Sequence, residues 1–154
     1  MRLLLGYYAE HKRLPGRQPV WEGQIVEGLA EYHRRTGRAD VAKVIVEGAR
    51  KLLTDDVRRA PDGQYEFMYC LPEQQKDCGD TWSKDENYLY LWLGGIAYAG
   101  SISRDPSFGR WADTLFGYGE KAILKRHEVR NWTSLLGFPH YYLELSGKTA
   151  VGQR

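Results

Sequence analysis

The sequence predicts an all-α fold built from helical hairpins, and three observations carry that expectation. Trp21 to Leu53 reads as a Gly-containing helix, a tight polar turn at Thr36-Gly37-Arg38, and a second helix. Asn87 to Leu124 repeats that order around a turn at Ser103-Arg104-Asp105-Pro106. One hairpin cannot bury its apolar face alone, so a repeated one implies neighbours stacked on each other. The third observation is Glu86 to Ser101, which is apolar on nearly every face and therefore belongs in an inner layer.

Bulk composition narrows the function classes. The chain has 154 residues, of which 42% are hydrophobic and 27% charged, so it can bury a core and is not generally disordered. A net charge of +2, with basic residues scattered beside acids, argues against a nucleic-acid partner. Aromatic residues reach 13%, with five Trp and eleven Tyr. Core packing accounts for most of these, and Tyr or Trp beside polar groups also suits stacking on sugar rings. Leu3-Leu4-Leu5 is too short an apolar run for a signal segment or a membrane span. That predicts no membrane partner, and a cytoplasmic location if the chain is complete.

Along the chain, Arg2 to about Leu14 can form a helix that the Pro15-Gly16 pair ends. Val20 to Thr36 places Trp21, Ile25, Gly28 or Leu29, and Tyr32 on one face, with Gly37 just past its end. The next helix opens near Asp40, which can cap it or complement its dipole. Val41, Ile45, Ala49 and Leu52 form its apolar stripe, and Lys43, Glu47, Arg50 and Lys51 its polar side. It reads as an outer-layer helix.

Asp55 to Asp85 lacks helical periodicity and is long for a connection. Within it Asp62-Gly63 reads as a turn, and Gln64 to Tyr69 alternates as a short strand does, so the loop has room for a β-hairpin. Cys70 and Cys78 also lie there, and a disulfide and two thiols are both compatible with their spacing. In the apolar helix after the loop, Gly94, Gly95 and Gly100 allow close helix approach. Asp105-Pro106 then supplies an N-cap and a Pro at the first helical position. Phe108, Trp111, Ala112, Leu115, Phe116, Gly119 and Ile123 continue as an amphipathic helix. A last element covers about Asn131 to Leu145. Residues 1–147 read as one domain, and 148–154 as a frayed tail.

The unit of a Gly-bearing inner helix, a short polar turn and an amphipathic outer helix resembles the hairpin of the (α/α) toroid enzymes. These are the six-hairpin glycosidases with related polysaccharide lyases and sugar epimerases. Trp21-Glu22-Gly23-Gln24 through Glu31-Tyr32 to Thr36-Gly37-Arg38 carries the resemblance, and Arg104-Asp105-Pro106-Ser107-Phe108 fills the matching turn. With three hairpins at most, the chain resembles an incomplete (α/α) toroid, either part of a larger one or a short relative closed by self-association. The expected partners are an oligo- or polysaccharide, and a second copy or the remainder of a larger toroid.

The resemblance implies a sugar cleft lined by the segments that lead into inner helices: Arg17 to Gln24, Asp77 to Tyr88, and His127 to Tyr142. On those segments Glu22, Asp80, Asp85, Tyr88 and His140 are candidate catalytic residues. Trp21, Trp82, Gln24 and Tyr141 are candidates for binding substrate. Glycoside hydrolysis needs two carboxyls flanking the scissile bond, one held protonated and one ionised. A lyase instead needs a Tyr or His base. Each candidate also has a plainer role: Glu22 as a first-turn acid, Asp85 as an N-cap, Asp80 as a turn residue, the Trp side chains as packing anchors, and His140 as a surface or packed histidine. No cofactor or metal is expected, because neither a phosphate-cradling glycine loop nor metal-ligand spacing occurs. The alternative is a non-catalytic helical-repeat module that binds a glycan or a protein.

Overall fold

A computed structural model describes residues 1–15, 18–84 and 87–126. Asp85, His140 and Tyr141, the N-cap assignment to Asp85, the element at 131–145 and the tail at 148–154 lie outside the described residues. Those described form a mostly helical fold with one small antiparallel sheet. The helices are α1 (Arg2–His11), α2 (Glu22–Thr36), α3 (Ala39–Asp55), the single turn α4 (Gln75–Cys78), α5 (Asn87–Ser103) and α6 (Pro106–Arg126).

Helix α1 stops at His11, short of the Pro15 breaker, because Lys12 turns left-handed at φ 52° and returns its N–H to the Tyr8 carbonyl. Residues Pro19–Trp21 form a 3-10 turn, so α2 proper opens at Glu22. Gly37 closes α2 at φ 64°, its N–H donated to the His33 carbonyl at 2.8 Å. In the second hairpin Arg104 takes the same left-handed role at φ 58°. Asp105 Oδ1 then accepts the Ser107 N–H at 2.9 Å and caps α6, as the Asp-Pro pair implies.

Helix α5 is the centre of the fold and packs against α2, α3 and α6. Leu89, Trp92, Leu93, Ile96 and Ala99 on it are all sealed from solvent. Its contacts with α2 advance in the same direction along both helices. Gly23 lies against Leu91 and Trp92, Val26 and Glu27 against Gly95, and His33 Nδ1 is 2.9 Å from the Tyr98 hydroxyl. The two Gly-bearing helices therefore run parallel as packed neighbours. Helices α3 and α6 fold back on them as hairpin partners. The inner face of α3 carries Val41, Ile45, Ala49 and Leu52, with Lys43, Glu47 and Arg50 outside. Phe108, Ala112 and Leu115 of α6 are buried against α5.

The long connection after α3 holds strands β1 (Val57–Arg59), β2 (Tyr65–Met68) and β3 (Trp82–Ser83), ordered β1-β2-β3 and antiparallel throughout. The β1–β2 hairpin turns at Asp62-Gly63, and β3 adds to its other edge with Met68 opposite Trp82. Phe67, fully buried, meets Trp92 edge to face at 5.7 Å and pins the sheet to α5. Cys70 and Cys78 are joined by a disulfide that closes the loop between β2 and β3. No helix among the described residues is long and apolar enough to cross a membrane.

Candidate functional site

Two of the segments singled out in the sequence, those carrying Trp21 and Trp82, pack on β2. The 3-10 turn that carries Trp21 packs against β2 and against α5, while β3 presents Trp82 on the other side of the same strand. Just past β2, Tyr69 stacks on Tyr88 of α5 with ring centroids 5.3 Å apart and planes at 24°. The 3-10 turn at Pro19–Trp21 and strand β3 thus both pack on β2, near the N-terminal ends of the two parallel inner helices. This follows from the fold, because a segment leading from an outer helix into an inner one must arrive at that end.

Within this rim the side chains differ sharply in access. Trp21 is 44% exposed, and its indole N–H is held by Gln18 Oε1 at 2.6 Å. Gln24 and Asp80 are exposed, and Tyr88 is half-buried. Trp82 is half-buried with the Arg58 guanidinium 4.1 Å from its ring centroid. Arg58 is in turn fixed by Glu66 at 2.7 Å, so one face of Trp82 is already covered.

Glu22 points the other way. Its side chain is buried and accepts a hydrogen bond from Arg13 Nε, while Arg13 Nη2 reaches the buried Asp56 carboxylate at 3.3 Å. One guanidinium thus bridges two carboxylates beneath the Trp21 turn. The cluster joins the segment after α1, the start of α2 and the end of α3. The Asp56 carbonyl accepts the Met68 N–H at 2.8 Å, which extends the connection to the sheet. Burial pushes the Glu22 carboxyl up to about 6, against the pull of Arg13, and Asp56 is raised for the same reason. Both carboxyl side chains are sealed from solvent. The pair does not meet the requirement of glycoside hydrolysis for carboxyls flanking a bound bond. Arg13 and Asp56 carry no sequence signal of this role. Arg13 follows Lys12 as an ordinary basic residue, and Asp56 lies at the start of the aperiodic segment, directly after Asp55.

Glu27, one turn further along α2, is pushed up to about 7 by burial. An acid raised in the folded state contributes stability that is complete below its ordinary value and is lost as pH rises through the shifted one. Glu22 and Glu27 both act in this sense, so the melting temperature should fall as pH rises from about 5 to about 8. Glu27→Gln should flatten that dependence and raise stability at the alkaline end. Melting followed by circular dichroism checks this. A Glu27→Gln protein with the wild-type slope would remove Glu27 as its source.

Among the described residues no group of three or more His, Cys, Asp or Glu is arranged to hold a metal ion. Comparison of the chain with protein-family models, with curated proteins and with solved structures found no match.

Proposed function

We propose that the protein is carbohydrate-active and binds a saccharide at the N-terminal rim of α2 and α5, as one portion of an (α/α) toroid. The observation that supports this best is the parallel packing of two Gly-bearing helices, each followed by an antiparallel outer partner. That is the repeating unit of such a toroid, and its rim here presents an accessible Trp21, Gln24 and Asp80. Exposed aromatic and hydrogen-bonding groups beside one another are what a sugar ring needs from a binding surface.

The described residues are assigned to saccharide binding and not to bond cleavage, because Glu22 is committed to Arg13 inside the fold. Hydrolase or lyase chemistry would draw on Asp85 and His140, catalytic candidates from the sequence that lie outside the described residues. In the alternative, a protein partner covers α1, where Leu3 is 90% exposed and Met1 and Tyr7 lie on the surface beside it.

Titration with neutral and uronate oligosaccharides, followed through the Trp21 indole N–H resonance, tests the reading. That resonance is assigned by its loss in Trp21→Ala. It should shift saturably with one of these series, and Trp21→Ala should weaken binding at the rim about tenfold. A resonance that no glycan moves, together with Leu3→Asp abolishing association with a protein partner, would favour the alternative.

A further inference from the structure

On the outer wall of the fold, α6 and β2 line an open cavity. Its volume is about 280 Å³, and it is lined by Tyr65, Ser107, Arg110, Trp111 and Thr114. That is just below the lower end of the range for small-molecule pockets, roughly 300 Å³, and suits one ring-sized group. The four α6 residues stand at i, i+3, i+4 and i+7, so a single helix face presents them together. Tyr65 faces them from β2, its ring 6.2 Å from Trp111 and tilted by 68°. Two aromatic walls at that angle form a corner. Tyr118, also on α6, meets the Tyr65 ring edge to face at 5.1 Å, so the corner is built before any ligand arrives.

The polar groups of this corner are sorted by what they have left to offer. Thr114 Oγ1 donates its proton to the Arg110 carbonyl at 2.8 Å, and the Ser107 hydroxyl is spent on the Asp105 carboxylate. Both oxygens keep lone pairs that can accept from a ligand. Arg110 is exposed, and its charge is one of those that hold the Asp105 carboxyl below the usual carboxylate range. The nearby Asp105 is already held by Arg50 at 3.3 Å and by Ser107. The corner therefore offers aromatic faces, hydroxyl acceptors and one strong cationic donor.

We propose that this cavity is a second, non-catalytic binding site for one uronic acid residue of an acidic polysaccharide. The C–H face of the sugar ring packs on Trp111, its hydroxyls donate to Ser107 and Thr114, and Arg110 pairs with its carboxylate. A neutral sugar would bring the guanidinium no carboxylate to pair with, and a small anion without a ring would leave both aromatic walls unused. The site shares no lining residue with the rim of α2 and α5 and does not depend on how that rim is read.

The test is titration of the full chain with trigalacturonate and with the same trisaccharide reduced at its carboxyls. Binding is read from the Trp111 indole N–H resonance, assigned by its absence in Trp111→Ala. The expected result is a saturable shift with a Kd on the order of a millimolar for the acidic trisaccharide. Binding of the reduced form should be at least about tenfold weaker. Arg110→Gln should remove that preference while leaving the melting temperature unchanged. Trp111→Phe should retain acidic binding, read by calorimetry, and keep the fold intact. Trp21→Ala should leave the Trp111 shift as it is, which separates this site from the rim. No shift of the Trp111 resonance, an equal shift with the reduced trisaccharide, or an Arg110→Gln protein with undiminished preference would each overturn the proposal.

Discussion

Gly23→Ala is expected to destabilise the protein more than any other single methyl addition on α2. A Cβ at this position would lie 2.5 Å from the Leu91 carbonyl oxygen and would also run into the Trp92 ring. The oxygen belongs to the backbone of the central helix and Trp92 is fully buried, so neither can give way by changing rotamer. Relief requires α2 and α5 to separate, which weakens the Val26–Gly95 contact one turn along. Overpacking of this kind costs about 3 kcal/mol or more where backbone blocks the added atoms. For a chain of this size that corresponds to a fall in Tm of roughly 10 °C. Gly28 supplies the control, since it is exposed and a Cβ there meets nothing within 4 Å. Gly28→Ala should stabilise the protein by about 0.5–1 kcal/mol through helix propensity alone. Parallel thermal melts decide the matter. Equal Tm values for Gly23→Ala and the wild type would mean that the two helices do not approach so closely.

Arg13→Leu should be comparably damaging at neutral pH, for an electrostatic reason. It strips the shared cation from two carboxylates whose side chains are 2% and 1% exposed. Removing one partner from a buried ion pair costs about 3–5 kcal/mol, mostly through the uncompensated charge left behind. The sign of the pH dependence identifies the cause. Without Arg13 both carboxyls shift further upward, because burial then acts unopposed. The folded state then binds protons more strongly than the unfolded chain. The deficit should be largest near pH 8 and shrink as pH falls through the raised values. Adding Glu22→Gln and Asp56→Asn to Arg13→Leu should recover part of the loss at pH 8. Urea midpoints at pH 5 and pH 8 measure both effects. A deficit identical at the two pH values would assign the loss to packing of the Arg13 stem and not to charge.

These two positions mark where sequence reasoning reached and where it stopped. The helices were legible because their signals are local. Gly37 and the Asp105-Pro106 pair announce their turns through φ preference and capping, and the apolar stripe of α3 repeats with the helical period. The inner position of α5 was legible too, since an all-round apolar helix has nowhere to go but the core. Asp62-Gly63 and the alternation at Tyr65–Met68 disclosed the hairpin, but β1 and β3 escaped. Three residues with two arginines, and the pair Trp82-Ser83, are too short for periodicity to register. They are strands only because β2 offers them hydrogen bonds.

The candidate site divides in the same way. In the sequence, the resemblance to the toroid hairpin is what assigned Trp21, Gln24, Asp80, Trp82 and Tyr88 to one end of the fold. It could not say which way the side chains turn. Glu22 and Trp21 are adjacent in the chain, yet one is sealed against Arg13 and the other stands in solvent. That division depends on Arg13 and Asp56, which lie 43 residues apart and meet only when the ends of α1 and α3 are packed together. The disulfide between Cys70 and Cys78 and the Arg58 cover over Trp82 are likewise decided by the tertiary fold. Backbone propensity is written in neighbouring residues and can be read from them. The partner of a buried charge, or the free face of an aromatic ring, depends on residues that only folding brings near.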